Sequence, residues 1–216
     1  YSEAGGEVTR DTRKVFSCPM ILKVAPPSEK ELEYIKPQAI LISALQLKTR
    51  NKSYCETLAE KRITALAFEF IKDQFGGFPA VRALSEIAGT SSVLIAAEYL
   101  SNMSGGNGLM FGNISGVPPV EIVILGAGTV GEFATRCALG LGASVKVFDS
   151  SLTKLRHLQS NMSRPLYTST LQQKILLKAI KRADVVIGAV RGKNRAPIII
   201  TEEMTKKMKK GAVIID

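Results

Sequence analysis

Three glycines at a fixed spacing are the residues of this chain best suited to a defined chemistry. They occupy the pattern Gly-x-Gly-x-x-Gly in the run Gly126-Ala127-Gly128-Thr129-Val130-Gly131. In that pattern the first glycine permits a tight turn, the second lets the backbone approach a diphosphate, and the third allows a helix to pack closely on a sheet. The start of the following helix offers free N–H groups and a partial positive charge to the phosphates. The alternative is a glycine-rich turn without a ligand, and the flanking sequence decides between the two.

An acidic residue lies where a ribose ligand is expected. Asp149 is 18 residues after Gly131, at the end of the next apolar segment, and a carboxylate there can accept hydrogen bonds from the adenosine ribose. Because it would repel a 2′-phosphate and no arginine follows it immediately, NAD is favoured over NADP. Lys154 either contacts the ribose or a phosphate or is an exposed helical lysine.

The elements around the glycine motif are those that would position it. Continuous apolar strands are predicted at Val120–Leu125 and Ser144–Phe148, with a helix from Thr129 to Leu141 between them. Parallel strands covered on both faces are apolar at nearly every position, as these are. Further helices are predicted over about 152–158 and 171–182, and further strands at 185–189 and 212–215. The fold class predicted is α/β, with a Rossmann-type doubly wound parallel sheet.

A second, partial α/β domain is predicted upstream. Short buried strands are indicated at Met20–Val24, Ala39–Ile42 and Ile63–Phe68. Between them, Ser28 and Glu31 have the spacing of a capping box at a helix start. A second helix, around residues 52–61, is predicted to direct Leu58 and Ala59 inward. Alternating strands and helices are typical of a parallel sheet with crossover connections.

Three segments follow from this pattern: a partial substrate domain over 1–78, a connecting helix and glycine-rich loop over 79–108, and a Rossmann NAD-binding domain over 109–216. The long connecting helix carries apolar residues near the helical period, namely Val81, Leu84, Ile87, Ala88, Val93, Leu94, Ala97 and Leu100. We expect both ends of the chain to be cut rather than natural. At the C-terminal end, Asp216 directly follows the apolar run 212–215, where an α/β protein would normally continue.

Composition narrows the class of protein. The 216 residues are 45% hydrophobic, and no apolar stretch approaches the roughly 20 residues of a membrane span, which predicts a soluble protein without a membrane segment. Cys18, Cys55 and Cys137 are widely spaced and are expected to be reduced, partly buried thiols; with a single histidine, no metal site is expected. The net charge of +10 is spread along the chain, so the run Lys206–Lys210 indicates a solvated helix end, with attraction to an anionic partner as the alternative. Nucleic acid is not expected as a partner.

The motifs together resemble those of a known family. The segments that carry the resemblance are Ile124–Gly131, Leu141–Val145, Asp149, Ser85–Gly89 and Arg182–Val190. They are similar to segments of alanine dehydrogenase and of the related NAD-binding subunit of the proton-translocating transhydrogenase, and the similarity covers nearly all of the chain. The resemblance implies that Ser85, Ala189 and Val190 also contact the cofactor. It further implies a homo-oligomer and a full-length protein that extends beyond both ends of this chain.

The catalytic positions depart from that family. Its Lys-Val-Lys-Glu-Pro motif reads Lys23-Val24-Ala25-Pro26-Pro27 here, so Ala25 replaces a lysine that binds the substrate carboxylate in the family. Its acid/base histidine is Gln46, which can form hydrogen bonds but cannot exchange a proton near neutral pH. Gln46 and Lys23 are the catalytic candidates, with Glu69 as a further residue in the same region. His157 is expected to have a surface or packing role.

The resemblance implies NAD-dependent oxidative deamination of L-alanine to pyruvate and ammonia in the cytoplasm, at a cleft between the domains. One alternative is a nucleotide-binding module of the transhydrogenase type, which performs no substrate chemistry itself. Ala25 and Gln46 favour that alternative, whereas the 101–116 loop and the Gly-Thr-Val-Gly-Glu turn favour the dehydrogenase. Another alternative is a saccharopine-type amino-acid dehydrogenase with a larger substrate.

Overall fold

Two parallel sheets organise the part of the chain that the computed structural model describes, which is residues 1–74, 76–190, 192 and 196–216. The sheets belong to two compact units, residues 1–81 and 82–216. All described strand pairs are parallel, and helices connect them, which confirms the predicted α/β class.

The first unit contains a sheet with the order β1-β2-β3. Its strands are β1 (Met20–Leu22), β2 (Ile40–Ser43) and β3 (Thr64–Ala67). Its helices are α1 (Thr12–Phe16), α2 (Glu29–Tyr34) and α3 (Lys52–Glu60), and 3-10 turns are formed by Ser2–Ala4, Leu47–Thr49 and Phe68–Phe70. Successive strands are neighbours, with Ile21 opposite Leu41 and Leu41 opposite Ala65. The carboxyl ends of all three strands therefore lie at one edge of the sheet.

Local sequence accounts for much of this unit. The capping box at α2 is confirmed, because Ser28 Oγ accepts from the Glu31 N–H at 3.3 Å and Glu31 Oε2 accepts from the Ser28 N–H at 2.7 Å. On α3, Leu58 is buried as predicted, but Ala59 is exposed, so that prediction was wrong. The second inward residue is Tyr54, which lies one helical turn before Leu58 and so on the same face, whereas Ala59 is rotated by about 100°.

The second unit contains the five-stranded sheet β6-β5-β4-β7-β8. Its strands are β4 (Glu121–Leu125), β5 (Ser144–Phe148), β6 (Tyr167–Ser169), β7 (Val185–Gly188) and β8 (Val213–Ile215). The helices are α4 (Pro79–Leu100), which begins in the last residues of the first unit, α5 (Thr129–Gly140), α6 (Leu152–Ser160), α7 (Gln173–Ile180) and α8 (Glu202–Thr205), with a 3-10 turn at Asn102–Ser104. The chain runs outward from β4 through β6 and then returns to β7 on the other side of β4. This reversal of strand order is that of a doubly wound sheet, and it places a topological switch point between β4 and β7.

Strand β4 shows why a continuous apolar run predicts a central strand. Ile122 and Ile124 pack into a core that includes residues of α4, α5 and α6, whereas Val123 and Leu125 pack into a second core with residues of α7. Both faces of the sheet are therefore covered, as the sequence pattern predicted.

Helix α4 presents small residues, rather than its largest apolar ones, to the core. Its buried residues are Gly89, Ser92, Val93, Ala96 and Leu100, whereas Leu84, Ile87, Ala88 and Leu94 are exposed. A Cβ atom on Gly89 would lie 2.4 Å from the Val130 carbonyl oxygen and 2.9 Å from Phe133 Cβ, so α4 and α5 approach each other more closely than a side chain allows. Apolar periodicity alone could not show this, because the closest contact is made at a residue without a side chain.

Length and composition would allow α4 to cross a membrane. That is weak evidence, since a core helix passes the same test, and Val93, Ala96 and Leu100 are fully buried in the core of the second unit.

All three cysteine thiols are free. Cys18 and Cys55 are exposed rather than partly buried as predicted, and Cys137 alone is half-buried.

The lysine run 206–210 follows α8 in a turn. Within it, Lys206 pairs with Glu202 at 2.7 Å and Lys209 with Asp184 at 2.7 Å.

Glu121, at the start of β4, lies in a network of ion pairs at the amino edge of the sheet. Its carboxylate accepts from Lys146 Nζ at 2.9 Å and from Arg182 Nη2 at 3.0 Å. Burial raises the pKa of Glu121, but the hydrogen bonds from Lys146 and Arg182 outweigh burial and hold the pKa below its usual value of 4.5. The ionised form is therefore favoured in the folded state.

Replacing Glu121 with glutamine is expected to lower the free energy of unfolding by about 1 kcal/mol near neutral pH. A folded-state pKa below the unfolded value stabilises the protein above the unfolded pKa, and this stabilisation is lost as the pH falls through the folded pKa. The difference between wild type and Glu121→Gln should therefore shrink as the pH falls below 4.5, the usual value for the group. Urea denaturation over a pH series measures it. The control is Glu202→Gln, whose exposed pair with Lys206 should contribute little at any pH; a pH-independent difference for Glu121→Gln would contradict the account.

Candidate dinucleotide site

The loop between β4 and α5 begins at a position that only glycine occupies without strain. Gly126 has a φ of +113°, and its N–H donates to the Phe148 carbonyl at 2.6 Å. A Cβ atom there would lie 2.4 Å from the carbonyl oxygen of Ala189. The turn off β4 thus passes between the ends of β5 and β7, the strands on either side.

The third glycine of the motif closes the turn against the helix. A Cβ atom on Gly131, in the first turn of α5, would lie 1.9 Å from the carbonyl oxygen of Gly126. Since the obstacle is backbone, no rotation of a side chain could relieve the overlap. Gly131 is therefore required for the loop to fold back over the start of α5.

Gly128 differs from these two glycines. It is the N-cap of α5. Within the part of the chain that the structure describes, no side chain caps the helix, and a Cβ atom on Gly128 would meet nothing within 4 Å. Its φ of −84° is accessible to any residue, so neither packing nor backbone strain within the chain requires glycine there. Open space directly in front of uncapped N–H groups fits a diphosphate, which is the ligand class that the motif predicts.

Asp149 ties the end of β5 to the glycine loop. The residue is 7% exposed; its Oδ2 accepts from the Ala127 N–H at 2.7 Å and its Oδ1 from the Ser151 N–H at 2.8 Å. Each carboxylate oxygen can accept a further hydrogen bond. The geometry therefore fixes the carboxylate beside the loop and leaves acceptor capacity for ribose hydroxyls.

The other residues predicted to contact the cofactor differ in their surroundings. Ala189 and Val190 follow β7 at the same sheet edge, where the Ala189 N–H donates to the Leu125 carbonyl at 2.7 Å. Ser85 is half-buried on α4. Lys154 is exposed in the first turn of α6, where its N–H donates to Ser151 Oγ at 3.3 Å. The structure thus brings the glycine loop, Asp149 and Ala189 together by direct contacts, whereas no contact joins the Lys154 side chain to them.

A cavity of about 500 Å³ lies at the carboxyl ends of β4, β7 and β8. Its walls are mainly apolar and are formed by Leu125, Val186, Gly188, Val190, Ala196–Ile200, Thr205 and Ile214–Asp216. This cavity could not be predicted from the sequence, because the residues that line it come from distant segments.

His157 lies on the exposed side of α6, with its Nε2 atom 3.1 Å from Asn161 Nδ2. This location fits the surface role predicted for it. Among the described residues, no three histidine, cysteine or acidic side chains are grouped as a metal site.

The candidate catalytic residues of the first unit lie at the carboxyl edge of its sheet. Lys23 follows β1, Gln46 follows β2 and Glu69 follows β3. Glu69 Oε1 accepts from the N–H groups of Leu45 and Gln46 at 2.9 and 2.8 Å. Gln46 is exposed, and its backbone is in the left-handed region, with a φ of +49°. Glu69 therefore holds the turn that carries Gln46.

Lys23 is already paired within its own unit. Its Nζ atom lies 2.6 Å from Glu31 Oε2 and 5.4 Å from the centre of the Phe16 ring. Burial raises the pKa of Glu31, but hydrogen bonds from Lys23 and from Ser28 outweigh it and lower the pKa. The ionised form of Glu31 is therefore favoured beside Lys23. Ala25 is exposed and offers no charge.

Comparison with known proteins finds similarity over the whole of the chain. Two family models match the chain: the N-terminal domain of alanine dehydrogenase/PNT over residues 1–88 and its C-terminal domain over residues 92–216. Alanine dehydrogenase 2 of Staphylococcus aureus (strain USA300) is 34% identical over 217 residues, which cover all of this chain and 58% of that protein. The chain thus spans little more than half the length of this relative.

Two solved structures are similar in fold. An L-alanine dehydrogenase superimposes with a TM-score of 0.86 at 32% identity, over 99% of this chain and 59% of that one. A transhydrogenase from Sinorhizobium meliloti superimposes with a TM-score of 0.81 at 22% identity, over 99% of this chain and 63% of that one, a likeness that concerns the fold alone.

Proposed function

This chain belongs to the alanine dehydrogenase/PNT family, and from that premise we propose that its protein catalyses the NAD-dependent oxidative deamination of L-alanine to pyruvate and ammonia. The observation that carries the proposal is the open space at Gly128 in front of the uncapped start of α5, beside the fixed carboxylate of Asp149. Similarity to alanine dehydrogenases over all of the chain supports the choice of reaction.

Different residues of the second unit bind different parts of the cofactor. The first N–H groups of α5 bind the diphosphate, Gly128 leaves room for it, and Asp149 accepts hydrogen bonds from the adenosine ribose. When bound, the nicotinamide supplies the acceptor for the hydride that leaves the substrate Cα. Ser85, Ala189 and Val190 complete the proposed contacts, and Lys154 lies near the ribose end of the site by its position after Asp149.

Asp149 also supports NAD rather than NADP as the cofactor. A 2′-phosphate would place a second negative charge beside a carboxylate that two backbone N–H groups hold in position. No contact of Lys154 with that carboxylate offsets the repulsion.

Replacing Asp149 with asparagine is expected to weaken NADH binding about tenfold and NADPH binding less, so that the preference for NADH narrows. The asparagine amide can accept only through one atom, which leaves one of the two N–H groups without its partner and lowers the free energy of unfolding by about 1–2 kcal/mol. Fluorescence titration with both nucleotides measures the change in preference. Asp184→Asn is a matched control, because Asp184 is equally buried and also accepts from a backbone N–H, that of Glu121 at 2.8 Å, at the amino edge of the sheet. An unchanged NADH/NADPH ratio in Asp149→Asn would contradict the assignment.

On the substrate side, Gln46 is the residue we propose to contact substrate, as a hydrogen-bonding group only. Lys23 is paired with Glu31, so its positive charge is balanced within that pair and Lys23 is not a free cation for the substrate. Proton transfer to or from the substrate therefore requires a residue other than Gln46.

A second candidate is a nucleotide-binding module of the transhydrogenase type, which binds NAD(H) and passes hydride to a nucleotide on a partner protein. Ala25 and Gln46 favour it, because the substrate ligand and the acid/base residue of the family are absent at these positions.

The test is formation of NADH from NAD and L-alanine by the complete protein, followed by absorbance. Activity above a no-substrate control supports the dehydrogenase. NADH binding without turnover of L-alanine would overturn it in favour of the module or of a saccharopine-type enzyme. We also propose that the complete protein is a homo-oligomer in the cytoplasm. Sedimentation of the complete protein would test its oligomeric state.

A further inference from the structure

Three buried side-chain atoms of the first unit lack hydrogen-bond partners within the described part of the chain. One is an acceptor, Glu69 Oε2, whose neighbouring Oε1 is paired with two backbone N–H groups. The other two are donors: Arg50 Nε, just after the 3-10 turn that follows β2, and the hydroxyl of Tyr54 in the first turns of α3. Tyr54 is only 2% exposed, and the guanidinium carbon of Arg50 lies 5.3 Å from the centre of its ring. Leaving such groups unpaired in a protein interior costs about 1–3 kcal/mol each, so their arrangement calls for a role.

Both groups are hydrogen-bond donors near neutral pH. Arginine is always charged and donates only. Burial raises the pKa of the Tyr54 hydroxyl, partly offset by the charge of Arg50, so the phenol keeps its proton. A positive donor beside a neutral donor is complemented by an anionic acceptor.

Arg50 has no ion-pair partner within residues 1–74 of this unit, in contrast to the cation at the end of β1. Lys23 is neutralised by Glu31 at 2.6 Å, and Ala25 carries no charge. Arg50 and Gln46 both follow β2, at the sheet edge where Lys23 and Glu69 also lie. Ligands of parallel α/β sheets bind at the carboxyl ends of the strands, so Arg50 is on the side where a substrate is expected.

We propose that Arg50 and Tyr54 form a subsite for the carboxylate of a small organic acid, which takes over the role that Ala25 cannot fill. The Arg50 guanidinium can present Nε and one terminal nitrogen side by side to the two carboxylate oxygens, and the Tyr54 hydroxyl donates a further hydrogen bond. The inference rests on the proposed function for its substrate, but the carboxylate-binding step itself is measurable without turnover.

The experiment titrates the complete protein with pyruvate, with acetate and with the uncharged acetamide, and measures binding by ligand-observed NMR. Pyruvate and acetate are expected to bind and acetamide is not. Arg50→Gln should weaken pyruvate binding by about tenfold or more, and Tyr54→Phe by about three- to tenfold. Tyr54→Phe should not lower the melting temperature, because the hydroxyl that it removes forms no hydrogen bond with any residue that the structure describes.

The matched control is Arg13→Gln. Arg13 is also stacked on a tyrosine of the same unit, with its guanidinium carbon 5.1 Å from the Tyr34 ring centre, but it is exposed, and pyruvate binding should be unchanged. NADH binding should be unchanged in all three variants.

The outcomes separate this subsite from the proposed function. Equal pyruvate binding by wild type, Arg50→Gln and Arg13→Gln, or no pyruvate binding by wild type, overturns the subsite. If wild type forms NADH from L-alanine and Arg50→Gln keeps the same KM for L-alanine, the subsite is wrong and the dehydrogenase proposal stands. If pyruvate binding depends on Arg50 but L-alanine gives no NADH, the subsite stands and the dehydrogenase proposal fails.

Discussion

Replacing Gly128 with alanine is expected to weaken NADH binding by about 100-fold, or ~2.7 kcal/mol, without disturbing the fold. The added methyl group meets no atom of the described residues within 4 Å and requires no unusual backbone angle. It would instead stand in the space through which the diphosphate must approach the first N–H groups of α5. Calorimetric titration measures the affinity, and urea denaturation measures the stability.

Gly140→Ala is the matched control for that experiment. Gly140 is the last residue of α5, and a Cβ atom there also meets nothing within 4 Å. This variant should bind NADH as wild type does. Wild-type affinity in Gly128→Ala would show that the loop does not receive the diphosphate.

Gly131→Ala should instead damage the fold itself. Its Cβ atom would lie 1.9 Å from the Gly126 carbonyl oxygen, and the backbone of β4 or α5 would have to move to admit it. Overpacking against backbone is expected to lower the free energy of unfolding by about 3 kcal/mol. The loss should be present without any nucleotide, as measured by urea denaturation of the ligand-free protein.

The pair Gly128→Ala and Gly131→Ala thus separates two roles within one motif. Gly128→Ala should retain wild-type stability and lose affinity for NADH, whereas Gly131→Ala should lose stability even when no nucleotide is present. Equal stabilities for Gly131→Ala and Gly140→Ala would contradict the close approach of Gly131 to Gly126.

Elements with a strong local signal could be predicted from the sequence, and elements fixed by tertiary contacts could not. The apolar runs that became β4 and β5, and the capping box at α2, were predicted correctly because their determinants lie within a few residues. Strand β6 was missed, because Tyr167–Ser169 is short and polar at two of three positions, and its pairing with β5 establishes it. The buried face of α4 was obscured by its exposed leucine and isoleucine residues, since the contact with α5 is made at Gly89.

The candidate site shows the same division. The glycine spacing and Asp149 were visible in the sequence, and their ligand contacts remain predictions. The two hydrogen bonds that hold Asp149, from the N–H groups of Ala127 and Ser151, depend on how the chain folds around β5. Arg50 and Tyr54 gave no sequence signal, because only burial shows that their polar groups lack partners. Sequence reasoning found Gln46 and Lys23 through resemblance, whereas the Lys23–Glu31 pair required the structure.

Binding of NAD(H) by the loop between β4 and α5, together with Asp149, is measured by isothermal titration calorimetry of the folded protein with NADH and with NADPH. We expect saturable heat for NADH at one site per chain and weaker binding of NADPH. No heat with either nucleotide, or tighter binding of NADPH than of NADH, would contradict it.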